Sequence, residues 1–123
     1  MTDFSTLAVH GGYNANRNDD AVSVPIYASA AFDLENAARG RDLAAGEISG
    51  FEYSRVANPT VDALERRLAA LEGGVGAVAV SSGMAAVSYA LMCAGEGGGR
   101  IIAPTNLYGA SVDALGDLSL IHI

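Results

Sequence analysis

The fold is decided by residues 76–93, GAVAVSSGMAAVSYALMC. Residues 77–80 are a short apolar run with valines, which predicts a buried strand. The chain then turns at Ser82 and Gly83 and continues as an alanine-, methionine- and leucine-rich segment, which predicts a helix over about residues 84–93. A strand that turns directly into a helix presents free backbone N–H groups at the helix N-terminus. That position favours an anion, most often a phosphate.

The segments on both sides of this turn continue the alternation of helix and strand. Asn58, followed by a proline, predicts the start of a helix that runs to Glu72 and ends at Gly73. Residues 100–103 predict a second strand, and a short helix is expected to end near Leu115. This order predicts an α/β fold built on a mostly parallel sheet.

The first 57 residues lack such a period. Pro25 interrupts the apolar residues 22–31, which therefore predict extended chain or an edge strand. Asp33 is a candidate N-cap for a short helix. We therefore expect residues 1–57 to be an N-terminal arm with an oligomerisation role, and residues 58–123 to be the incomplete start of a domain.

Composition excludes several classes of function. The chain of 123 residues has a net charge of −7, and its seven basic residues are all Arg. An acidic chain without a basic stripe argues against nucleic acid and membrane as partners. One cysteine permits no internal disulfide, and no apolar run reaches membrane-spanning length, so we expect a cytoplasmic protein. The low share of charged residues, 17%, favours a place in a larger assembly.

The turn at residues 81–84 is the first candidate binding site. Gly83 lets a phosphate approach the backbone, and the Ser82 hydroxyl adds a donor. From these residues alone, an ordinary turn capped by serine is the favoured alternative. The turn is not a Walker A loop, because the chain has no Lys, and it lacks the glycine pattern of a nucleophile elbow, which argues against a serine hydrolase.

Aromatic and basic side chains elsewhere are weaker candidates. Tyr53 and Arg55 would face the same side of an extended segment and together suit a phosphate or carboxylate. Tyr108 follows the second predicted strand, where ligands of α/β sheets bind, and can stack on a planar ligand or act as an acid or base. The alternatives are a solvated Arg beside a half-buried Tyr, and a core or rim aromatic.

The cysteine and the histidines give no catalytic or metal signal. Cys93 lies among apolar neighbours without a basic residue to lower its pKa, so we expect a buried structural thiol. His10 and His122 belong to no cluster at metal-ligand spacing, so no metal is predicted.

The ordered set of motifs resembles the N-terminal part of the Cys/Met-metabolism family of pyridoxal-phosphate (PLP) enzymes. This family includes cystathionine γ-synthase, cystathionine γ-lyase, methionine γ-lyase and O-acetylhomoserine sulfhydrylase. Each motif is modest alone, and the resemblance covers about residues 5–112. The motifs that carry it are TLAVHGG at 6–12, VPIY at 24–27, YSR at 53–55, NPT at 58–60, LE at 64–65, LAALEG at 68–73, SSGMA at 81–85 and LYG at 107–109.

The resemblance implies a role for each candidate in a fold-type I PLP-dependent enzyme. The turn Ser82, Gly83 and Met84 would contact the phosphate of PLP through its backbone and hydroxyl groups. Tyr108 would stack on the pyridine ring and is a candidate for proton transfer, which makes it the predicted catalytic residue. The substrate would be a small amino acid.

Two further residues would act in a neighbouring subunit. The resemblance implies that Tyr53 and Arg55 reach across a dimer interface to the phosphate of the partner's PLP. It therefore implies a homodimer or homotetramer for the full-length protein.

Departures from the family pattern limit what residues 1–123 can do. The family holds PLP covalently on a lysine, and this chain has none. The other PLP and substrate contacts of the family would lie beyond residue 123, and residues 118–123 do not follow the family pattern. We expect a truncated N-terminal part, ending in sequence of uncertain origin, that is inactive alone.

The resemblance favours a transsulfuration activity for the parent protein. We expect γ-replacement on O-acetylhomoserine that gives homocysteine or cystathionine, because the long segment 33–49 is typical of the sulfhydrylase branch. Residues 51–55 and 81–84 look more like the cystathionine enzymes, so a cystathionine or methionine γ-lyase is the alternative. A non-catalytic PLP-fold remnant and a nucleotide-binding α/β module are alternatives from other classes.

Overall fold

The computed structural model of the protein describes residues 3–96 and 98–121, with the backbone alone described for residues 118–121. Its contacts divide the chain into two compact units, Met1–Val78 and Ala79–Ile123. The predicted division at residue 57 into an arm and a domain stays a prediction. His122 lies outside the described residues, as does the end of the predicted non-family tail.

The first unit holds four helical segments. Helix α1 spans Phe4–His10, a 3₁₀ turn spans Ala15–Arg17, α2 spans Ala37–Ala44 and α3 spans Pro59–Glu72. Helix α1 packs against α3. The sequence did not predict α1, which is short and has no hydrogen bond from a side-chain cap.

Helix α3 confirms the sequence prediction at both ends. The Oδ1 atom of Asn58 accepts a hydrogen bond from the N–H of Thr60 at 2.9 Å, so Asn58 is the N-cap. Gly73 ends the helix with φ of 65°, a left-handed conformation that glycine adopts without a steric cost. An exposed ion pair between Asp62 and Arg66, 3.0 Å apart, joins successive turns.

Helix α2 begins four residues after the predicted cap, so the prediction for Asp33 is wrong. Its N-cap is Asn36, whose Oδ1 accepts from the N–H of Arg39 at 2.9 Å. The Asp33 carboxylate instead accepts from the N–H of Glu35 at 2.8 Å and closes a local turn. Because Glu35 has φ of 62°, the right-handed helix cannot include it.

The second unit is built on two helices that pack against each other. Helix α4 spans Gly83–Gly95 and confirms the helix predicted after the turn. Helix α5 spans Gly109–Ile121 and is longer than the predicted helix, which ended near Leu115.

The two predicted strands are absent from the described residues. Residues 77–80 and 100–103 have no strand assignment, and the described pairing is a single antiparallel bridge between Ala31 and Tyr53. A strand is defined by a ladder of hydrogen bonds to a neighbouring strand, and no such ladder is assigned to these two segments in the described part of the chain. Large apolar side chains in both segments are accordingly exposed, with Val78 83% and Ile102 97% exposed.

Cys93 is also exposed, so its predicted burial is wrong. The residue lies on α4, and none of the residues of that helix is fully buried. A parallel sheet would cover such a helix, and the described residues form none. None of the helices in the described part of the chain has the length and apolar content needed to cross a membrane.

Candidate functional site

The start of α4 combines a capped helix end with unused donors. The Oγ atom of Ser82 accepts a hydrogen bond from the N–H of Ala85 at 3.1 Å, and its carbonyl accepts from Ala86 at 3.1 Å. The first N–H groups of a helix have no partner within the helix. The N–H groups of Gly83 and Met84 therefore point out of the helix end as donors that the cap does not use.

The same helix end is open to a ligand. A Cβ atom built on Gly83 would meet no other atom within 4 Å, and the first turn of α4 contains no acidic residue. Because the Ser82 hydroxyl accepts from Ala85, its own proton is free to be donated. Two N–H groups and one hydroxyl at the positive end of a helix dipole suit a phosphate.

Tyr108 stands directly before α5, where the sequence predicted a strand end. Its carbonyl accepts from the N–H groups of Ser111 and Val112, at 2.9 and 3.3 Å, so the residue lies at the first turn of the helix. Its side chain is 73% exposed, which leaves the ring free to stack on a planar ligand. Tyr108 and the turn at Ser82 belong to the same unit.

Tyr53 and Arg55 lie together, but on a turn and not on the extended segment that we predicted. The carbonyl of Tyr53 accepts from the N–H groups of Val56 and Ala57, at 2.9 and 3.0 Å, and this closes the chain into a turn. The guanidinium carbon of Arg55 lies 5.1 Å from the centroid of the Tyr53 ring, a cation–π distance. The turn lies between the bridge at Tyr53 and the start of α3.

Comparison with known proteins decides the family. The sequence profile described as "Cys/Met metabolism PLP-dependent enzyme" matches residues 5–119. The chain belongs to this family. The resemblance inferred from the sequence motifs is thereby confirmed.

Relatives in the family include sulfhydrylases and a lyase. The chain is 40% identical over 112 residues to the sulfhydrylase FUB7 of Fusarium oxysporum, a match that covers 91% of this chain and 26% of the relative. It is 43% identical over 108 residues to an O-acetyl-L-homoserine sulfhydrylase of Corynebacterium glutamicum, covering 88% and 25%. An L-methionine gamma-lyase of Pseudomonas deceptionensis is also 43% identical over 108 residues, covering 88% and 27%. The chain therefore spans about a quarter of the length of these relatives.

A solved structure shows the fold of the matching part. A protein of Campylobacter jejuni, described as an O-acetylhomoserine (thiol)-lyase, matches with a TM-score of 0.70 and 42% identity over 75% of this chain and 22% of its own. It carries N'-pyridoxyl-lysine-5'-monophosphate at position 205. The chain thus has the architecture of the N-terminal part of a fold-type I PLP-dependent enzyme, although its described residues form helices and no sheet strands.

The donors at the start of α4 fit the phosphate of the family's cofactor. Phosphate needs hydrogen-bond donors and a positive potential, and both are present at Ser82, Gly83 and Met84. No lysine is present to hold the cofactor covalently, since all seven basic residues are Arg. Within residues 3–96 and 98–121, no group of three His, Cys, Asp or Glu side chains could hold a metal ion.

Sequence reasoning missed one residue beside the Tyr53 turn. The sequence predicts a helix cap at Asn58, and the structure adds that its amide nitrogen donates to the carbonyl of Tyr27 at 2.9 Å and to Oγ of Ser54 at 2.8 Å. The signal was the choice of Asn itself, because among the common N-cap residues only Asn combines an acceptor with two amide donors.

Proposed function

We propose that this chain is the N-terminal part of a PLP-dependent enzyme that performs γ-replacement on O-acetylhomoserine and gives homocysteine or cystathionine. The observation that carries the proposal is the start of α4, where the cap by Ser82 leaves the N–H groups of Gly83 and Met84 unused and nothing crowds Gly83. Similarity to sulfhydrylases at 40% and 43% identity supports the choice of reaction.

The proposed role of this turn is to bind the phosphate of PLP. Ser82, Gly83 and Met84 supply neutral donors, and the α4 dipole supplies the positive potential. When bound, PLP acts as an electron sink that stabilises negative charge on the amino-acid substrate. The turn would hold the phosphate end of the cofactor.

Tyr108 is proposed to hold the ring and move a proton. Its exposed aromatic face can stack on the pyridine ring, and its phenol oxygen can accept or donate a proton during loss of the substrate's leaving group. Stacking excludes water from that face of the ring.

Tyr53 and Arg55 are proposed to bind the phosphate in the neighbouring subunit. Arg55 provides a forked donor, and the Tyr53 phenol provides an O–H donor. Tyr53 is 42% exposed, and Arg55 is also exposed, as expected for residues that reach into another chain. The proposal therefore includes a homodimer or homotetramer, acting on small amino acids in the cytoplasm.

A γ-lyase is the second candidate, favoured by the 43% identity to an L-methionine gamma-lyase. The test supplies the purified full-length protein and PLP with either O-acetylhomoserine plus sulfide or methionine alone. We expect homocysteine from the first mixture and little 2-oxobutanoate from the second. The opposite preference would establish the lyase.

Two alternatives from other classes have separate tests. A non-catalytic remnant of the PLP fold would lack an in-frame lysine in the sequence downstream of residue 123, whereas the enzyme requires one. A nucleotide-binding module would bind ATP or GTP in competition with PLP. Binding of nucleotide in preference to PLP by the full-length protein would overturn PLP as the cofactor and the proposed reaction with it.

A further inference from the structure

The Tyr53–Arg55 turn is tied to the rest of its unit through a buried amide. Asn58 is only 9% exposed, and its side chain makes three hydrogen bonds. The Nδ2 atom donates to the carbonyl of Tyr27 at 2.9 Å and to Oγ of Ser54 at 2.8 Å, while Oδ1 accepts from the N–H of Thr60 at 2.9 Å. The helix cap uses only the last of these bonds, so the two donors serve another purpose.

Ser54 connects this amide to the turn itself. The residue lies between Tyr53 and Arg55, and its N–H donates to the carbonyl of Ala30 at 2.9 Å. Its hydroxyl accepts from Asn58 and donates to the carbonyl of Ser29. Hydrogen bonds therefore hold both the backbone and the side chain of Ser54, and this fixes the backbone between Tyr53 and Arg55.

Thr60 closes the same connection from the first turn of α3. Its Oγ1 atom accepts from the N–H of Tyr27 at 2.9 Å and donates to the carbonyl of Pro25 at 3.0 Å. We call the hydrogen-bonded residues Ser54, Asn58 and Thr60 the Asn58 network. This network joins residues 25–30 to the start of α3, and it pairs the amide of Asn58, which burial would otherwise leave without partners.

Arg55 depends on this scaffold for its direction. Its described interaction is the cation–π contact with Tyr53 at 5.1 Å, and the side chain is exposed. The turn that begins at Tyr53 places the backbone of Arg55, and the Tyr53 ring is the surface that the guanidinium contacts. A group held in place before its ligand arrives loses less conformational entropy on binding.

We propose that the residues of the Asn58 network are positioning residues that hold Arg55 ready to bind the cofactor phosphate. The inference rests on the proposed function, in which Arg55 is a phosphate ligand. It assigns to Asn58 a part in cofactor affinity that is separate from its part in capping α3.

The substitution Asn58→Asp separates these two parts. Aspartate caps a helix as well as asparagine does, so the bond to Thr60 is kept. Both amide donors are lost, and a carboxylate oxygen faces the carbonyl of Tyr27. The matched control is Asn36→Asp, which makes the same change at the N-cap of α2.

The experiment measures the dissociation constant of PLP from the full-length apoprotein, together with the melting temperature. We expect Asn58→Asp to raise the dissociation constant about tenfold and Asn36→Asp to leave it unchanged. In an Arg55→Ala background, Asn58→Asp should add little further loss, because it acts through Arg55. Its effect on melting temperature should be the same in both backgrounds.

Each contrary result has its own meaning. An unchanged dissociation constant in Asn58→Asp, or an equal loss in both backgrounds, would overturn the inference while leaving the proposed function intact. No effect of Arg55→Ala would overturn the phosphate role of Arg55 and the inference with it. If Asn58→Asp does not fold, Thr60→Val replaces it in the same measurement. If neither variant folds while Asn36→Asp does, the Asn58 network has a purely structural role and the inference is overturned.

Discussion

The side chain of Arg67 donates through Nε to the carbonyl of Gly11, 2.9 Å away and 56 residues earlier in the chain. This bond joins the end of α1 to the middle of α3, where the two helices pack. Gly12 follows directly and lies so close to α3 that an ideal Cβ atom would be 2.5 Å from the backbone nitrogen of Arg67. The packing of α1 therefore depends on a residue without a side chain.

Replacing Gly12 with alanine should destabilise the first unit severely. The residue has φ of +72°, and its added methyl group would overlap backbone atoms that cannot rotate away. We expect a loss of about 3 kcal/mol or more, of which the left-handed backbone accounts for about 1 kcal/mol. Gly46→Ala is the matched control, because Gly46 has the same φ of +72° and no atom within 4 Å of an added Cβ. Equal melting temperatures for the two variants would contradict the close packing of α1 on α3.

The phenol of Tyr13 should make stability depend on alkaline pH. It donates to the carbonyls of Ala21 and Ser23, at 2.6 and 3.1 Å. Desolvation of the phenol, followed by the nearby Tyr27, raises the pKa of Tyr13 above its usual value. Because the folded state holds this proton more tightly, the contribution is complete below pH of about 10 and is lost as pH rises through the folded pKa.

The check compares melting temperature against pH for the wild type and Tyr13→Phe. We expect the variant to melt lower at pH 8, since the two carbonyls lose their donor, and to fall less steeply above pH 10. Subtracting the melting-temperature curve of Tyr13→Phe from that of the wild type cancels the contribution of the other tyrosines and leaves that of Tyr13. Parallel curves would show that ionisation of the Tyr13 phenol does not change the stability of the folded state.

Two substitutions at Ser82 should separate the helix cap from the phosphate site. Ser82→Ala removes the acceptor for the N–H of Ala85 and should cost about 1 kcal/mol of stability. Ser82→Asp keeps the cap and complements the helix dipole, so stability should be kept. Its negative charge would repel a phosphate at the same helix end and should weaken PLP binding about tenfold.

The readouts are the melting temperature and the dissociation constant of PLP from the full-length apoprotein. Asn36 supplies the control cap: Asn36→Ala should lower stability by a similar amount without affecting PLP. Wild-type PLP affinity in Ser82→Asp would place the phosphate elsewhere than at the start of α4.

Helix ends could be predicted from sequence because their signals are local. Asn58 and Gly73 each satisfy groups within a few residues, and the structure has both in their predicted roles. Ser82 is the N-cap of α4, as in the alternative interpretation of its turn, and its phosphate role stays a prediction. The strands could not be predicted in the same way. Residues 77–80 and 100–103 have the apolar character of strands, but a strand forms only beside a partner, and the partner is not specified by the segment itself.

The same distinction applies to the candidate site. The cap at Ser82 could be predicted because helix capping is encoded in consecutive residues. The contact of Asn58 with Tyr27 spans 31 residues, so no local pattern shows it. The pairing of Tyr53 with Arg55 was predicted for an extended segment and is produced by a turn instead, because tertiary hydrogen bonds decide the backbone there.

Residues 1–123 alone should bind no cofactor covalently and catalyse no turnover. All seven basic side chains are Arg, whose guanidinium stays protonated and supplies no nucleophilic amine. After incubation with PLP and reduction with borohydride, peptide mass spectrometry should find no pyridoxyl group on any side chain. Acetylation of the α-amino group beforehand removes the one competing amine. A pyridoxyl-modified side chain, or homocysteine formed from O-acetylhomoserine and sulfide, would show that this polypeptide needs no lysine.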